Sequence, residues 1–386
     1  MRIGIDARLF DQTGVGRYIT NLIKNLQEID YKNDYVLFVK NEDYENVKFQ
    51  ISSRQGRNKF QIIKADIKWH SIEEQIKFPY ILERENLDLV HFPYFSVPIL
   101  YKRPYIITIH DLIIHHFPTG KASTLPGHLY ILKILVYKYV IKRAAQKAKK
   151  VISVSNSTKE EIMDHLKIPQ DKIKVIYEAA DQQISNPKSQ IANKSINTKS
   201  KIQNPKYFLF VGNVYPHKNT ERMIKAFEIL LKYFPDTLLF FAGKQDYFYT
   251  RLEKIIKDEG LANNVRLLGF VQDENLAALY KNAVALVVPS LMEGFGLPAL
   301  EAMANKCLVL ASSIPALKEV CQKNAIYFDP YDIDDIAGKM KMAYLKDFDG
   351  EIIERAFERS KEFSCEKMAE ETLRVYENMG ILTNGR

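Results

Sequence analysis

The stretch VVPSLMEGFGLPALEAMA, residues 287–304, joins an apolar run to a helix-like run through a glycine-rich turn. The apolar run predicts a buried strand, and Pro298 suits the first turn of the helix that follows. Glycines in such a turn let backbone N–H groups approach a ligand, and a helix start favours an anion. The stretch therefore predicts an α/β fold with a phosphate site where a strand ends.

Two carboxylates accompany this turn. Glu293 lies on the turn itself, and Glu301 lies one turn into the helix. Because an ionised carboxylate only accepts hydrogen bonds, it suits the hydroxyl groups of a sugar, so both side chains are candidates for binding a sugar phosphate. The alternative is that Glu301 is only a favourable acid near a helix start.

The composition indicates a soluble globular protein with two domains. The chain has 386 residues, of which 46% are hydrophobic and 26% are charged. Its three cysteines are widely spaced, and we expect buried thiols in a reducing, cytoplasmic compartment. The start MRIGIDARLF does not resemble a signal peptide, and no apolar run is long enough to predict a membrane-spanning helix.

Short apolar runs alternate with helical patterns along both halves of the chain. This alternation predicts parallel sheets with helices on both faces, as in doubly wound Rossmann-like domains. Residues 182–205 are rich in Ser, Asn, Gln and Lys, which predicts a flexible linker. We expect one domain over 1–181, a second over 206–362 and a last helix over 363–386, with the two domains facing each other across a ligand cleft.

Other polar signals concern helix starts and metals. Ser157 followed by Glu160 predicts a capping box. The acids of DIDD (332–335) and DFD (347–349) resemble metal motifs, but they lie beside helices, which indicates caps and solvated side chains. No spacing of histidine with cysteine or carboxylate predicts a zinc site, so we expect no metal.

Glycines also follow the first predicted strand, in DQTGVGRY (residues 11–18). Gly14 and Gly16 stand where this strand ends and the first helix starts, facing the expected cleft. A G-x-G pair is a weak signal, because many α/β turns contain one. The alternative is a tight turn without any ligand.

A lysine and a histidine stand at the ends of two further strands. In FVGNVYPHKN the strand ends at Gly212 and Asn213, and a short loop presents Lys218, which would neutralise charge on a departing diphosphate. In YIITIHD, His110 ends an apolar strand and is suited to donate to sugar hydroxyls or phosphate. The alternatives are a solvated lysine and a histidine that only satisfies a backbone partner.

Positive charge concentrates between Leu112 and Lys159, where nine Lys or Arg occur without any Asp or Glu, in a chain of net charge +8. Within this segment, LYILKILVYKYVIKRAAQKAKK (129–150) passes from apolar to basic. Such a segment suits an anionic membrane surface or a nucleic acid. The alternative is a core-packed helix with a solvated lysine face.

Nearly the whole chain resembles the retaining glycosyltransferases of family 4, which have the GT-B fold. The stretch over residues 287–304 is similar to those of bacterial polysaccharide and O-antigen mannosyltransferases. The motifs that carry the resemblance are GIDAR, TGVGRYI, DLVHFPYF, IITIHDL, VISVSNSTKEEI, FVGNVYPHKN, LLGFVQDENLAALYKNA and PSLMEGFGLPALEAMA. The pair Glu293 and Glu301 is the most specific feature. The resemblance implies a nucleotide-sugar donor bound mainly by the second domain, and a last helix that crosses back to the first.

The resemblance also implies roles for individual residues. Glu301 would hold the ribose, and Glu293 the donor sugar. Lys218 would bind the diphosphate, and His110 would contact the sugar near the reacting carbon. The remaining donor contacts would come from Gly14, Gly16, Asn213, Gly294, Phe295, Gly296 and Leu297.

One departure from the family pattern concerns the diphosphate. Many members have arginine at the position of Asn213, as a second phosphate cation. Either Lys218 therefore acts alone, or His217 or Arg17 compensates.

These implications amount to a defined reaction. A sugar, mannose from GDP-mannose, would pass to a hydroxyl of a glycan or lipid-linked acceptor with retention at the anomeric carbon, in cell-surface polysaccharide synthesis. The alternative donor is a UDP- or dTDP-sugar. We expect no cofactor or metal, because fixed cations and a helix dipole would take that role.

Other classes of protein share some of these features. An epimerase or a phosphorylase has the same fold, but a phosphorylase needs a pyridoxal-binding lysine that we do not find. A nucleic-acid-binding protein would explain the positive charge, but no nucleic-acid motif is present, and we expect no nucleic-acid partner. A catalytically silent GT-B scaffold would not require Glu293, Glu301, Lys218 and His110 together.

Overall fold

The structure is a computed structural model that describes residues 1–10, 13–52, 60–118, 127–180 and 206–384. The linker expected over 182–205 lies outside the described residues. The chain divides into two compact units. The first comprises Met1–His115, Leu125–Ala179 and Ser364–Arg386, and the second comprises His116–Thr124 and Ala180–Phe363. The domain limits at 181, 206 and 362 stay predictions.

The first unit contains a parallel sheet. Its strands are β1 (Arg2–Asp6), β2 (Asp34–Val39), β3 (Phe60–Lys64), β4 (Leu89–Phe92), β5 (Tyr105–Ile109), β6 (Lys150–Ser153) and β7 (Ile173–Val175). Among the described residues they pair in the order β3-β2-β1-β4-β5-β6-β7. The central strands β4 and β5 are buried along their whole length, as expected when helices cover both faces. The order reverses between β1 and β4, which makes their carboxyl ends the topological switch point.

The second unit repeats this architecture. Its strands are β8 (Tyr207–Val211), β9 (Leu238–Ala242), β10 (Val265–Gly269), β11 (Ala285–Val288), β12 (Val309–Ser312) and β13 (Ile326–Phe328). In the described part of the unit, these parallel strands pair in the order β10-β9-β8-β11-β12-β13. The switch point lies between β8 and β11.

Helices connect the strands and cover both sheets. They are α1 (Thr13–Ile29), α2 (Tyr44–Ser52), α3 (Ile72–Arg84), α4 (Ile113–His116), α5 (Gly127–Lys147), α6 (Asn156–Glu161), α7 (Thr220–Leu231), α8 (Tyr247–Asp258), α9 (Asp273–Asn282), α10 (Leu297–Ala304), α11 (Pro315–Cys321), α12 (Ile333–Leu345), α13 (Glu351–Ser360) and α14 (Cys365–Asn384). Helix α1 shows why they form: Ile19, Leu22, Ile23 and Leu26 recur at helical spacing and are all buried.

The two faces of the first sheet have separate cores. On one face, Ile19 and Leu22 of α1 cluster with Met368 and Tyr376 of α14. The last helix therefore packs in the first unit, although the chain reaches it from the second. On the other face, side chains of α3 and α5 cluster with β4 and β5.

Most expectations about the fold are confirmed. Both units are α/β, with two parallel, doubly wound, Rossmann-like sheets. The three cysteines are free and buried. Asp332 caps α12, because its carboxylate accepts from the backbone N–H groups of Asp334 and Asp335. No helix among the described residues is long and apolar enough to cross a membrane.

The expected capping box at Ser157 and Glu160 is wrong. Helix α6 begins earlier, and Ser155 is its N-cap. Ser155 has an extended backbone, and its side chain accepts a hydrogen bond from the N–H of Thr158 at 2.9 Å. Both serines precede the helical pattern, and only the backbone conformation decides which of them caps it.

Candidate functional site

The loops that follow β8 and β11 meet at the switch point of the second unit. The loop after β8 makes a short 3₁₀ turn at Pro216–Lys218. The Leu291 N–H donates to the His217 carbonyl at 2.7 Å, and Asn219 donates its side-chain amide to the Pro289 carbonyl at 3.0 Å. These bonds fix the lysine loop against the loop that carries Glu293.

Lys218 and Glu293 form an ion pair at this junction. Lys218 Nζ lies 2.7 Å from Glu293 Oε1 and 2.9 Å from Oε2, and both side chains are largely buried. The Ser290 hydroxyl donates to Oε1 at 2.6 Å. Burial opposes ionisation of Glu293, but the charge and hydrogen bonds of Lys218 outweigh it, so the pKa of Glu293 lies below its usual value. The structure thus pairs two residues that the sequence identified separately.

His217 is buried beside Lys218. Burial, with the neighbouring charge of Lys218, lowers the pKa of its imidazole to about 3. The ring is therefore neutral at neutral pH in this structure. Compensation of the asparagine at position 213 by His217 or Arg17 stays a prediction.

Helix α10 begins beside this ion pair, as expected from Pro298. Gly296 precedes its first residue and has a φ of +103°, a left-handed conformation that favours glycine. A Cβ there would also lie 2.6 Å from a side-chain carbon of Leu317. The ring of Phe295 packs against Phe363, with centroids 5.7 Å apart, so this side chain belongs to the core. Gly294, Gly296 and Leu297 bring backbone, rather than functional side chains, to the turn.

Glu301 lies on α10, just beyond its first turn, and only 2% of its surface is exposed. Its Oε2 accepts a hydrogen bond of 2.8 Å from the hydroxyl of Tyr280 on α9, which is also fully buried. An acid placed only to complement a helix start would remain solvated. This carboxylate is instead buried and oriented by a hydroxyl group.

Asn213 follows β8 at the same switch point. Its Oδ1 is buried, and within the part of the chain that the structure describes it has no hydrogen-bond partner. A buried amide oxygen without a partner is unfavourable, so such an atom at a strand end is a candidate contact for a ligand that donates a hydrogen bond.

The two candidate glycines of the first unit, Gly14 and Gly16, differ from each other. Helix α1 already begins at Thr13, so Gly14 and Gly16 lie in its first turn and not in the preceding turn, as the sequence had suggested. A Cβ at Gly16 would lie 2.3 Å from the carbonyl oxygen of Phe10. A Cβ at Gly14 would meet no atom within 4 Å. Of the positions 14 and 16, close packing therefore requires glycine only at 16.

His110 follows β5 and is buried, with both ring nitrogens bonded. Nδ1 lies 2.5 Å from a carboxylate oxygen of Glu178, and Nε2 lies 2.9 Å from the carbonyl oxygen of Pro93. Burial disfavours the imidazolium, but the hydrogen bond and charge of Glu178 outweigh it, so the pKa of His110 is raised. The backbone partner considered from the sequence is present, and a carboxylate accompanies it.

A buried hydrogen-bond chain lies behind His110. The ring of Tyr18 contacts the His110 ring edge-on, and its hydroxyl lies 3.2 Å from Thr108. Thr108 also bonds His91, whose other nitrogen lies 2.7 Å from the hydroxyl of Tyr376. Burial lowers the pKa of His91 to about 3, whereas the pKa of His110 is raised. The chain links β4, β5, α1 and α14.

We expect Glu178→Gln to lower the free energy of unfolding of the first unit by about 1–3 kcal/mol near pH 6, because it removes a buried, charge-assisted hydrogen bond. A raised pKa stabilises the folded state fully below the unfolded pKa, and this stabilisation is lost as pH rises through the folded pKa. The difference between the two proteins should therefore shrink above pH 6.5. Urea unfolding followed by the fluorescence of Trp69, the single tryptophan, measures it.

The groups that face His110 are Glu178, Asp111, His91 and Tyr18. The pH range of the experiment distinguishes the titration of His110 from that of His91 and Tyr18. His91 titrates near pH 3, and the pKa of Tyr18 is raised to about 12. A stability difference that stays constant from about pH 6 to about pH 9 would show that the His110–Glu178 pair is not ionised.

Three residues of these sites were missed from the sequence. Ser290 and Tyr280 assist the two acids, and no local pattern connects Tyr280 with Glu301. Glu178 follows the end of β7, so it carried the same signal as His110: a polar residue at the carboxyl end of an apolar strand.

Comparisons with known proteins agree with this architecture. Residues 12–183 match the model of Glycosyltransferase Family 4, and residues 192–359 match that of Glycosyl transferases group 1. The chain carries the two domains of a GT-B glycosyltransferase. The family expected from the sequence is thereby confirmed.

Curated relatives of these glycosyltransferase domains include mannosyltransferases. The O-antigen chain mannosyltransferase RfbU of Salmonella typhimurium is 32% identical over 51% of this chain and 51% of its own length. The O-antigen chain mannosyltransferase B of Escherichia coli is 31% identical over 59% of this chain and 60% of its own length. The chain thus spans about half to three-fifths of the length of these relatives.

A solved structure shares the GT-B fold over nearly the full length. It is HepE of Anabaena in complex with UDP and glucose, with a TM-score of 0.73 and 16% identity, covering 98% of this chain and 100% of that one. At this identity the likeness concerns the fold alone.

Proposed function

We propose that this protein transfers a sugar from a nucleoside diphosphate sugar to an acceptor hydroxyl. One observation carries the proposal: the switch point of the second unit joins Lys218, Glu293 and a helix start. A lysine and the positive end of a helix suit a diphosphate, and a carboxylate suits sugar hydroxyls. The buried, unpartnered oxygen of Asn213 supports a ligand that donates a hydrogen bond there.

The Lys218–Glu293 pair gives this site a way to respond to its donor. Without ligand, the two charges neutralise each other. A diphosphate competes with Glu293 for the lysine, and Glu293 then accepts hydrogen bonds from the sugar. In the transition state the departing phosphate gains negative charge, and Lys218 and the helix start stabilise it. Fixed protein charges would thus take the role that a metal has in other transferases.

We propose that transfer retains the anomeric configuration by a front-face route, in which the departing phosphate helps to deprotonate the acceptor. Because both nitrogens of His110 are bonded to protein, His110 would present its ring near the reacting carbon and would not donate a hydrogen bond to the sugar. Gly14, Gly16, Gly294, Phe295, Gly296 and Leu297 would contribute backbone contacts. Glu301 would hold the ribose.

The mannosyltransferase relatives support mannose from GDP-mannose as the donor, with a glycan or lipid-linked acceptor in polysaccharide synthesis. The UDP complex of HepE supports a nucleoside diphosphate in general, so a UDP- or dTDP-sugar is the alternative donor. We further propose that the protein works in the cytoplasm at an anionic membrane surface and binds no nucleic acid.

A thermal-shift screen of GDP-, UDP-, dTDP- and ADP-sugars tests the donor. A ligand at a hundred times its dissociation constant should stabilise the protein by about 2.7 kcal/mol. This corresponds to a rise in Tm of about 5–10 °C for a domain of this size. The matching nucleoside without phosphates is the control and should give a smaller shift. If no sugar nucleotide raises the Tm, the chain is a silent scaffold and the proposal fails.

A further inference from the structure

Helices α3 and α5 lie side by side on one face of the first sheet. The ring of Phe78 on α3 lies 6.4 Å from that of Phe92 on β4. The hydroxyl of Tyr105 on β5 donates to the carbonyl of Ala144 on α5 at 2.9 Å. Since β4 and β5 are paired neighbours and both helices share one core cluster, their outer faces point away from the sheet on the same side.

The outer face of α5 is apolar over its first half. Ile131, Leu132, Leu135, Val136 and Tyr139 are each between 53% and 63% exposed. Their spacing places them on one side of the helix. The opposite side is buried, with Ile141, Ala144 and Ala145 in the core. One side of the helix is packed in the core, as in the alternative considered from the sequence, but core packing does not account for the exposed apolar residues.

The outer face of α3 is apolar as well. Ile72, Ile76 and Tyr80 recur every four residues and are 58–80% exposed. Phe78 and Leu82, on the inner side of the same helix, are buried.

The segment between β4 and β5 joins the two helices into one surface. Gln75 on α3 accepts from the Ile99 N–H at 2.9 Å, and Lys147 on α5 donates to the Ile99 carbonyl at 2.9 Å. Leu100, beside this junction, is 60% exposed. We call the exposed apolar residues of α3, α5 and Leu100 the helical face. Exposed apolar residues grouped on neighbouring elements mark an interaction site.

Positive charge continues the helical face along α5. Lys142 and Arg143 lie three and four residues after Tyr139, on the same side of the helix, and Lys149 follows; all three are exposed. None of them forms an ion pair with a carboxylate among the described residues. The segment from Leu112 to Lys159 contains no acid that could neutralise them.

We propose that the helical face docks on the surface of an anionic lipid bilayer. Aliphatic and tyrosine side chains insert at the headgroup boundary, while adjacent lysines and arginines meet anionic headgroups. A second copy of the chain fits less well, because a twofold dimer would bring identical basic residues together. This proposal rests on the membrane location given under the proposed function, and it names the surface that would bind the membrane. That surface belongs to the first unit and is separate from the donor site.

Flotation of the full-length protein with lipid vesicles tests this. With phosphatidylcholine containing phosphatidylglycerol, the protein should float at low salt and be released at high salt. With phosphatidylcholine alone it should stay at the bottom. The triple change Lys142→Gln, Arg143→Gln and Lys149→Gln should lower the partition coefficient by roughly a hundredfold, from about fivefold for each basic residue near the surface. Lys147 is left in place, because it holds the Ile99 carbonyl.

Two further variants separate charge from apolar contact. Leu132→Gln with Leu135→Gln should also release the protein from anionic vesicles. Its matched control is Tyr233→Gln with Phe270→Gln, exposed apolar residues of the second unit, and this should bind like the unchanged protein. The control for the charge variant is Lys254→Gln, Lys257→Gln and Lys281→Gln, which removes the same charge from exposed positions of the second unit.

Three results would overturn the proposal. The unchanged protein could fail to float with anionic vesicles, the charge variant could float as well as its control, or sedimentation could reveal a dimer that is lost on changing Leu132 and Leu135. Donor stabilisation, measured by thermal shift on the same variants, should be unchanged. It therefore shows whether a failure concerns the membrane or the proposed sugar transfer.

Discussion

Lys218→Ala is expected to lower turnover roughly 10²–10³-fold, the usual effect of removing one preorganised electrostatic donor. Lys218 is the cation at the switch point of the second unit, and His217 beside it is neutral. Charge that develops on the departing phosphate would then have no nearby cation from this loop. The measurement is the rate at which nucleoside diphosphate is released from the donor found by thermal shift.

Lys218→Ala also affects the stability of the fold, and this effect must be distinguished from a loss of phosphate binding. Losing the lysine leaves the buried carboxylate of Glu293 with the Ser290 hydroxyl but without a neutralising charge, and breaking a buried ion pair typically costs about 3–5 kcal/mol of folding free energy. Lys218→Gln retains a hydrogen-bond donor for Glu293 and serves as the folded control. If the lysine binds phosphate, both variants lose affinity for the nucleoside diphosphate while affinity for the nucleoside stays unchanged. Full turnover in Lys218→Gln would reject the role.

The same assay tests the expectation that no metal takes part. Turnover should persist in EDTA, because Lys218 and the start of α10 are proposed to stabilise the departing phosphate. Strict dependence on added Mg²⁺ or Mn²⁺ would show that a metal neutralises the phosphate.

Glu301→Ala is expected to weaken binding of both the sugar nucleotide and the free nucleotide by about 1–3 kcal/mol, because hydroxyls of the bound ribose would lose their acceptor. Glu293→Gln should instead lower turnover and spare the free nucleotide, since Glu293 is proposed to contact the sugar. Isothermal titration with nucleotide and sugar nucleotide measures both variants. Equal losses of nucleotide affinity in the two variants would contradict this division of roles.

Tyr280→Phe is the matched control for Glu301. It removes the hydrogen bond to Oε2 but keeps the carboxylate and nearly all of the buried volume. We expect a loss of about 1 kcal/mol in stability and little change in nucleotide affinity. If Tyr280→Phe weakens the nucleotide as much as Glu301→Ala does, the carboxylate acts through the packing of α9 against α10 and not through the ribose.

The sheets could be predicted from the sequence because parallel strands covered on both faces are continuous apolar runs. The exception is β3, whose residues FQIIK are each half-buried or exposed. A five-residue edge strand with two polar residues has too weak a pattern to stand out. The location of the candidate residues at strand ends could also be predicted from the sequence, since parallel strands bring their carboxyl ends to one edge of the sheet.

The pairing of side chains was decided by the tertiary structure. Lys218 and Glu293 are separated by 75 positions and His110 and Glu178 by 68, so no local spacing connects them. The lowered pKa of Glu293 and the raised pKa of His110 follow from that pairing, because burial alone would shift each pKa in the opposite direction.

The sequence by itself determined that the segment 129–150 is apolar at one end and basic at the other. It could not determine which side of helix α5 faces water, because residues on both sides of its first half are apolar and helical periodicity then selects no face. The small residues Ala144 and Ala145 decide this question, because they let one side of the helix approach the sheet closely. The larger side chains of the opposite side (Ile131, Leu132, Leu135, Val136 and Tyr139) are consequently left outside, where only the folded unit shows that they form a surface with α3.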